Sequence, residues 1–180
     1  MIFVEKTIES KRVYEGRILN LRVDTVKTID GESTREIIEH NGGAVIAAIT
    51  DDHEMLMVKQ FRKPLERVVL EAPAGKLDKG EKPETTALRE LKEETGYTAE
   101  NIKFITKIYP SVGYCQEALY LYVCTNLKPG EPSFDEGEAI ELCKYPIDEL
   151  AEMVLAGKIE DAKTQVTVLI VKSMMDRNEL

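Results

Sequence analysis

The chain has 180 residues, 43% of them hydrophobic and 32% charged, which suits one compact domain with or without an appendage and excludes a disordered or low-complexity chain. Its 24 basic and 33 acidic residues leave a net charge of −9, which gives no general attraction for nucleic acid or an anionic membrane; a phosphate-bearing ligand then needs local arginines or a metal ion. Three cysteines without a C-x-x-C pair argue against a disulfide framework or a zinc site and fit a reduced, cytoplasmic setting, and neither a run of about 18 apolar residues nor a basic-then-apolar leader is visible.

Residues 18–25 alternate Leu19, Leu21 and Val23 against Asn20, Arg22 and Asp24, the period of a half-buried strand. Asp30-Gly31 supplies a turn, and 35–40 reads as the returning strand of a hairpin. Residues 1–40 therefore form an N-terminal antiparallel β segment, and Asn41-Gly42-Gly43 breaks it from the main domain, 41–180. Further strands are expected at 44–49, 55–61, 68–70, 102–108, 119–124 and 139–145. Helices are expected at 83–95, with Pro83 in the first turn and Gly96 as the stop, at 146–156, and from Asp161 onward, where Asp161 is the N-cap. The elements interleave without regular βαβ alternation, so the class is mixed α/β or α+β.

Chemistry is narrowed by elimination. His40 and His53 are the only histidines, and neither G-x-S-x-G nor a P-loop occurs. A lone Cys115 near a strand is more often a small core residue than a nucleophile. Carboxylates remain, dense between Gly75 and Tyr97. On a helix, Ala87, Leu88, Leu91 and Thr95 form an apolar face, and Glu90 and Glu94 lie i, i+4 along its edge. Two such like charges repel, and a divalent cation relieves them; oxygen donors without nearby cysteine or histidine point to Mg²⁺ or Mn²⁺. An ordinary solvated acidic helix is the competing reading for this stretch alone.

The wider pattern decides between them. Gly75, Glu81, Arg89, Glu90, Glu93, Glu94 and Gly96 stand in the register G-x5-E-x7-R-E-L-x-E-E-x-G-Y across residues 75–97. This resembles the Nudix box, and only Tyr97 departs, where the family carries a bulky aliphatic residue. The resemblance implies a Nudix-type mixed sheet sandwiched between helices and a metal-dependent hydrolase that uses water to cleave a nucleoside diphosphate linked to another moiety. Arg35-Glu36-Ile37-Ile38-Glu39, Gln60-Phe61-Arg62, Glu71-Ala72-Pro73-Ala74-Gly75 and the stretch 157–164 extend the likeness to the ADP-ribose pyrophosphatase subfamily.

That resemblance implies site residues. The Ala74 carbonyl and the Glu90 and Glu94 carboxylates would hold the metal. Arg62 would meet the nucleotide, Arg35 and Glu36 would contact substrate across a homodimer made by the N-terminal segment, and Ser111 would contact substrate from the loop after the box. Arg17 and Ile18 fall where the subfamily packs against adenine. Arg89 and Glu93 would hold the helix and orient the ligating glutamates. In 135–138, Glu136 would be the catalytic base and Glu138 a further metal ligand; the competing reading is an acidic turn. Val112 stands where ADP-ribose enzymes tend to carry proline, with Pro110 two residues early. The expected partner is therefore ADP-ribose or a related nucleoside diphosphate sugar. Another nucleotide, such as a dinucleoside polyphosphate, and a non-catalytic ligand-sensing role stay open. Neither nucleic acid nor membrane is expected as a partner.

Overall fold

The computed structural model describes residues 2–134, 137 and 139–180. The chain forms two compact units, Met1–Gly42 with Tyr109–Ala118, and Gly43–Ile108 with Leu119–Leu180.

The first unit is an antiparallel sheet in the order β1 (Lys6–Glu15), β2 (Asn20–Thr28), β3 (Gly31–Glu39). The expected hairpin is β2–β3, with Asp24 opposite Arg35 and Thr28 opposite Gly31 at the turn. Strand β1 has no period-two signal in the sequence. Its register slips between Thr7 and Glu9 and again between Arg12 and Tyr14, and all ten residues are exposed, so no buried face imposes alternation. Charged side chains tie the strands: Arg12 and Arg22 both reach Glu39, at 2.6 and 2.9 Å, and the Ser10 hydroxyl donates to Asp24 at 2.6 Å. Segment Tyr109–Ala118 is anchored on β3 through Ile38, whose N–H donates to the Tyr114 carbonyl and whose carbonyl accepts from Gln116 N–H.

The second unit holds a four-stranded mixed sheet, β7-β4-β9-β8, and a three-stranded antiparallel sheet, β10-β5-β6. The strands are β4 (Gly43–Ala48), β5 (Glu54–Arg62), β6 (Arg67–Glu71), β7 (Ala74–Lys76), β8 (Thr98–Ile108), β9 (Leu119–Lys128) and β10 (Ile140–Pro146). The helices are α1 (Pro83–Thr95), α2 (Ile147–Leu155) and α3 (Ala162–Asp176). Strands β4 and β9 pair in parallel at the centre, and β4 is buried on both faces, which is why it reads as an unbroken apolar run. Ala44, Ile46 and Ala48 pack with Ala87 and Leu91 of α1. Val45 and Ala47 pack with Leu150 of α2 and Val168 and Val171 of α3. The sheet is thus covered by α1 on one side and by α2 and α3 on the other, the mixed α+β arrangement that the resemblance implies.

Strand β7 is three residues long and carries no hydrophobic period, so the sequence does not announce it; β4 pairing recruits it. All three cysteines are free thiols, and burial raises Cys124 to about 12. Among the described residues no helix is long and apolar enough to cross a membrane.

Candidate active site

Helix α1 carries most of the candidate residues. Pro83 opens it, and Gly96 closes it with φ of 77°, its N–H returning to the Lys92 carbonyl at 2.9 Å. The buried face is Thr86, Ala87, Leu91, Glu94 and Thr95. This corrects the apolar face drawn from the sequence: Leu88 is 38% exposed. Glu94 lies seven residues after Ala87 and shares its line on the helix, while Leu88 is one step further round. A carboxylate therefore occupies the centre of the buried stripe. Tyr97 borders the same core, and the Lys144 ammonium lies 5.3 Å from its ring centroid, so an aromatic ring is accommodated where the family pattern has an aliphatic one.

Arg89 joins the loop before the helix to the helix itself. Its guanidinium donates to Glu81 through Nη2 at 3.1 Å, to Glu90 at 2.7 Å and to Glu93 at 2.9 Å, and to the Lys76 carbonyl at 3.3 Å. Glu81 also accepts from the Thr86 hydroxyl at 2.8 Å. These bonds hold the Glu81 carboxyl down at about 2, Arg89 contributing most, and raise Arg89 above its ordinary value, Glu81 contributing most. The expected Arg89–Glu93 ion pair is present, and Arg89 also takes up part of the repulsion expected between the glutamates.

Gly75 explains its place in the motif. A Cβ there would stand 1.7 Å from Glu90 Oε1, so only glycine lets Glu90 lie against this turn of β7. One residue earlier, Ala74 N–H donates to Glu94 Oε2 at 3.0 Å. The backbone at 74–75 and the carboxylates of Glu90 and Glu94 are thus brought together. Among the described residues no three His, Cys, Asp or Glu side chains form a ready-made metal cage. Two carboxylates and a backbone carbonyl suit Mg²⁺ or Mn²⁺, which take few protein ligands and complete their shell with water and phosphate oxygens. The donor chemistry therefore fits the expected ion.

Arg62, at the end of β5, makes a bidentate pair with Glu71, at the end of β6: Nε to Oε1 is 2.6 Å and Nη2 to Oε2 is 2.9 Å. Glu71 is 3% exposed. Lys163 of α3 pairs with the same carboxylate and reaches Asp161 Oδ2 at 2.9 Å. Burial pushes the Glu71 carboxyl up, but Arg62 and Lys163 together bring it below the ordinary range. Arg62 is raised, chiefly by its hydrogen bonds to Glu71, with the charges of Glu94 and Asp161 adding to the effect. Arg62 and Glu94 therefore lie in one electrostatic neighbourhood.

Glu71 and Lys163 are the residues of this neighbourhood to which the sequence assigned no role. Both sit in stretches that resemble the subfamily, and a lone Glu and a lone Lys ninety-two positions apart give no local sign of pairing.

Arg35, Glu36, Ser111, Arg17 and Ile18 lie in the first unit. Arg35 of β3 is half-exposed and pairs with Glu5, and Glu36 beside it is exposed. Ser111 accepts from Cys115 N–H at 3.1 Å through its carbonyl, closing a turn. Arg17 and Ile18 line an open polar cleft of about 340 Å³ with Arg12, Glu39, His40 and Asn41. Ile18 is 58% exposed. Glu136 and Glu138 lie outside the described residues.

Residues 40–167 match the NUDIX domain, and residues 5–38 match the nucleoside diphosphate sugar hydrolase N-terminal domain. The chain is 42% identical over 167 residues to the ADP-ribose pyrophosphatase of Bacillus subtilis (strain 168), covering 91% of this chain and 90% of the relative. It is 41% identical over 170 residues to the methanol dehydrogenase activator of Bacillus methanolicus, covering 93% and 92%. A solved structure described as an ADP compounds hydrolase shares the fold, with a TM-score of 0.87 at 20% identity over 99% of this chain and 97% of that one. On the domain match and these identities, the chain belongs to the Nudix hydrolase family.

Proposed function

We propose that the chain is a pyrophosphohydrolase that cleaves the diphosphate of ADP-ribose to AMP and ribose 5-phosphate. One observation carries the reading. Glu90 and Glu94, carboxylates suited to a cation, share a neighbourhood with Arg62, a guanidinium suited to an anion. A diphosphate with its divalent counterion satisfies both at once.

In this reading Glu90, Glu94 and the Ala74 carbonyl hold Mg²⁺ or Mn²⁺, with Glu138 as a further ligand. The ion would supply charge neutralisation for the phosphates and polarise the attacking water. Arg89 and Glu93 keep the glutamates in place. Arg62 holds the nucleotide phosphate and fixes the phosphorus for in-line attack. Glu136 accepts the proton as the water oxygen bonds to phosphorus and the bond to the bridging oxygen breaks; the leaving phosphate carries the electron pair away. Ser111 contacts the substrate, and Arg17 and Ile18 meet the adenine.

A homodimer belongs to the same proposal. The first unit exposes Ile2, Phe3, Val4, Ile8, Val13 and Tyr14, a large apolar area for a three-stranded sheet. Pairing of two copies through it covers that area and lets Arg35 and Glu36 of one copy contact substrate held by the other. The free thiols suit the cytoplasm.

The test is product analysis with Mg²⁺ on ADP-ribose beside a panel of nucleoside diphosphate derivatives. AMP from ADP-ribose at the highest kcat/KM is the expected result and makes Val112 a tolerated variation. Preference for another member keeps the chemistry and moves the substrate. Lack of turnover with Mg²⁺ or Mn²⁺ on every member overturns the reading in favour of ligand sensing.

A further inference from the structure

Lys163 is out of place for a surface lysine. Its side chain is only 13% exposed, and its ammonium is engaged by carboxylates. It is held from two sides. Glu71 pairs with its ammonium, and Asp161 accepts from it at 2.9 Å. Asp161 is in turn the N-cap of α3: its Oδ2 accepts from Thr164 N–H at 3.0 Å and from the Thr164 hydroxyl at 2.5 Å. The Thr164 oxygen also accepts from Ala72 N–H at 2.8 Å, which closes the loop back to Glu71. The first turn of α3 is thereby fastened to the chain between Glu71 and Ala74.

The charges in this ring are unevenly spent. The negative charge of Asp161 faces the positive end of the α3 dipole as well as Lys163. Glu71 has one charge to share between two cations, Lys163 and Arg62. A carboxylate facing Arg62 alone would offset its charge most fully; Lys163, itself shared with Asp161, draws on the same carboxylate and weakens that offset at the partner that reaches solvent. That partner is Arg62, whose side chain is 40% exposed. Nε and Nη2 of Arg62 are used on Glu71, so one edge of the guanidinium is fixed by that carboxylate. Lys163 also fixes where the fork of Glu71 points, and hence where the guanidinium lies.

We propose that Lys163 is a positioning residue for phosphate recognition: through Glu71 it holds the Arg62 guanidinium in place and leaves its positive charge available to the substrate's phosphate. This rests on the reading of Arg62 as the nucleotide contact. Lys163 touches no substrate and acts only through its neighbours.

The experiment replaces Lys163 in the full chain and reads two signals. With ADP-ribose and Mg²⁺, Lys163→Met raises KM about tenfold and leaves kcat within about twofold, as expected for loss of a charge-assisted contact to the bound phosphate. Lys163→Arg, which keeps the charge, restores most of the KM. In an Arg62→Ala background Lys163→Met adds nothing further, because the group it acts through is gone. An equal KM penalty in both backgrounds, or a fall in kcat alone, overturns the proposal. The second signal needs no substrate. The Arg62 Nε–H resonance, assigned by its loss in Arg62→Ala, exchanges slowly with water in the parent chain and quickly in Lys163→Met and in Lys163→Gln, which retains a hydrogen-bond donor. Unchanged exchange in both variants overturns the proposal whatever the kinetics show. Failure to cleave ADP-ribose at all overturns the assigned activity instead, and the exchange measurement still decides the place of Lys163.

Discussion

Two charge clusters in the second unit mirror one another. At one, the Arg89 guanidinium donates to three carboxylates, Glu81, Glu90 and Glu93. At the other, the Glu71 carboxylate accepts from two cations, Arg62 and Lys163. The first sets three carboxylates against one guanidinium; in the second Asp161 also takes Lys163, so two cations meet two carboxylates and Arg62 is the cation that reaches solvent. Both hang on the same short stretch of chain, since Glu71 ends β6 and Ala74 opens β7 and binds Glu94. In a protein of net charge −9 the charges are thus sorted locally rather than averaged, which is what the proposed metal and phosphate contacts require.

The sharpest way to break the acid-rich side is Glu94→Gln. A glutamine oxygen still accepts from Ala74 N–H, so the fold is retained, while one charged ligand of the proposed metal site is lost. Turnover should fall by about a thousandfold or more, with circular dichroism unchanged. Normal activity in Mg²⁺ would remove Glu94 from the metal set. Glu136→Gln comes next, with kcat down by about a hundredfold and Mg²⁺ affinity kept. An unchanged kcat returns residues 135–138 to an acidic turn.

In the Glu71 cluster, Arg62→Ala should raise KM by about ten- to a hundredfold, the range for a charge-assisted bond to phosphate. It also leaves Glu71 buried with Lys163 as its remaining cation, so the melting temperature should fall with it. Isothermal titration and thermal melts on the same sample separate the two effects. A stability loss without a change in KM would make the Arg62–Glu71 pair structural and dissolve the contrast between the clusters.

The two clusters differ in how far the sequence revealed them. The acid-rich one lies within a single helix and the loop before it, so fixed spacing carries it: Gly75, Glu81, Arg89 and Glu93 all have a visible partner at a set distance along the chain. The helix bounds 83–95 follow from Pro83 and Gly96, residues whose backbone preferences act locally. Its inward face was less legible, because a buried carboxylate, Glu94, took the place that hydrophobicity alone gives to Leu88. The Glu71 cluster is built from β5, β6 and α3, and pairing between distant elements leaves no period to read. Strands β1 and β7 escaped for related reasons: one has no buried face and two register slips, and the other exists only as an addition to the edge of β4.

The smallest expected effect concerns acid. Glu81 is held at about 2, chiefly by Arg89, against an ordinary value of 4.5. A carboxyl whose value is lower in the folded state stabilises the fold above its unfolded value, and that contribution fades as pH falls toward the folded one. The tie from the loop to α1 should therefore be intact above about pH 4.5 and weaken between there and about pH 2. Glu81→Gln removes this titration, so its melting temperature should lie slightly below the parent's at neutral pH and converge with it in acid. Arg89 keeps Glu90 and Glu93 in the variant, which is why the loss is small and turnover falls less than in Glu94→Gln. A constant gap between the two melting curves across this range would mean that Glu81 packs the loop without sharing the charge of Arg89, and Arg89 would then serve the helix glutamates alone.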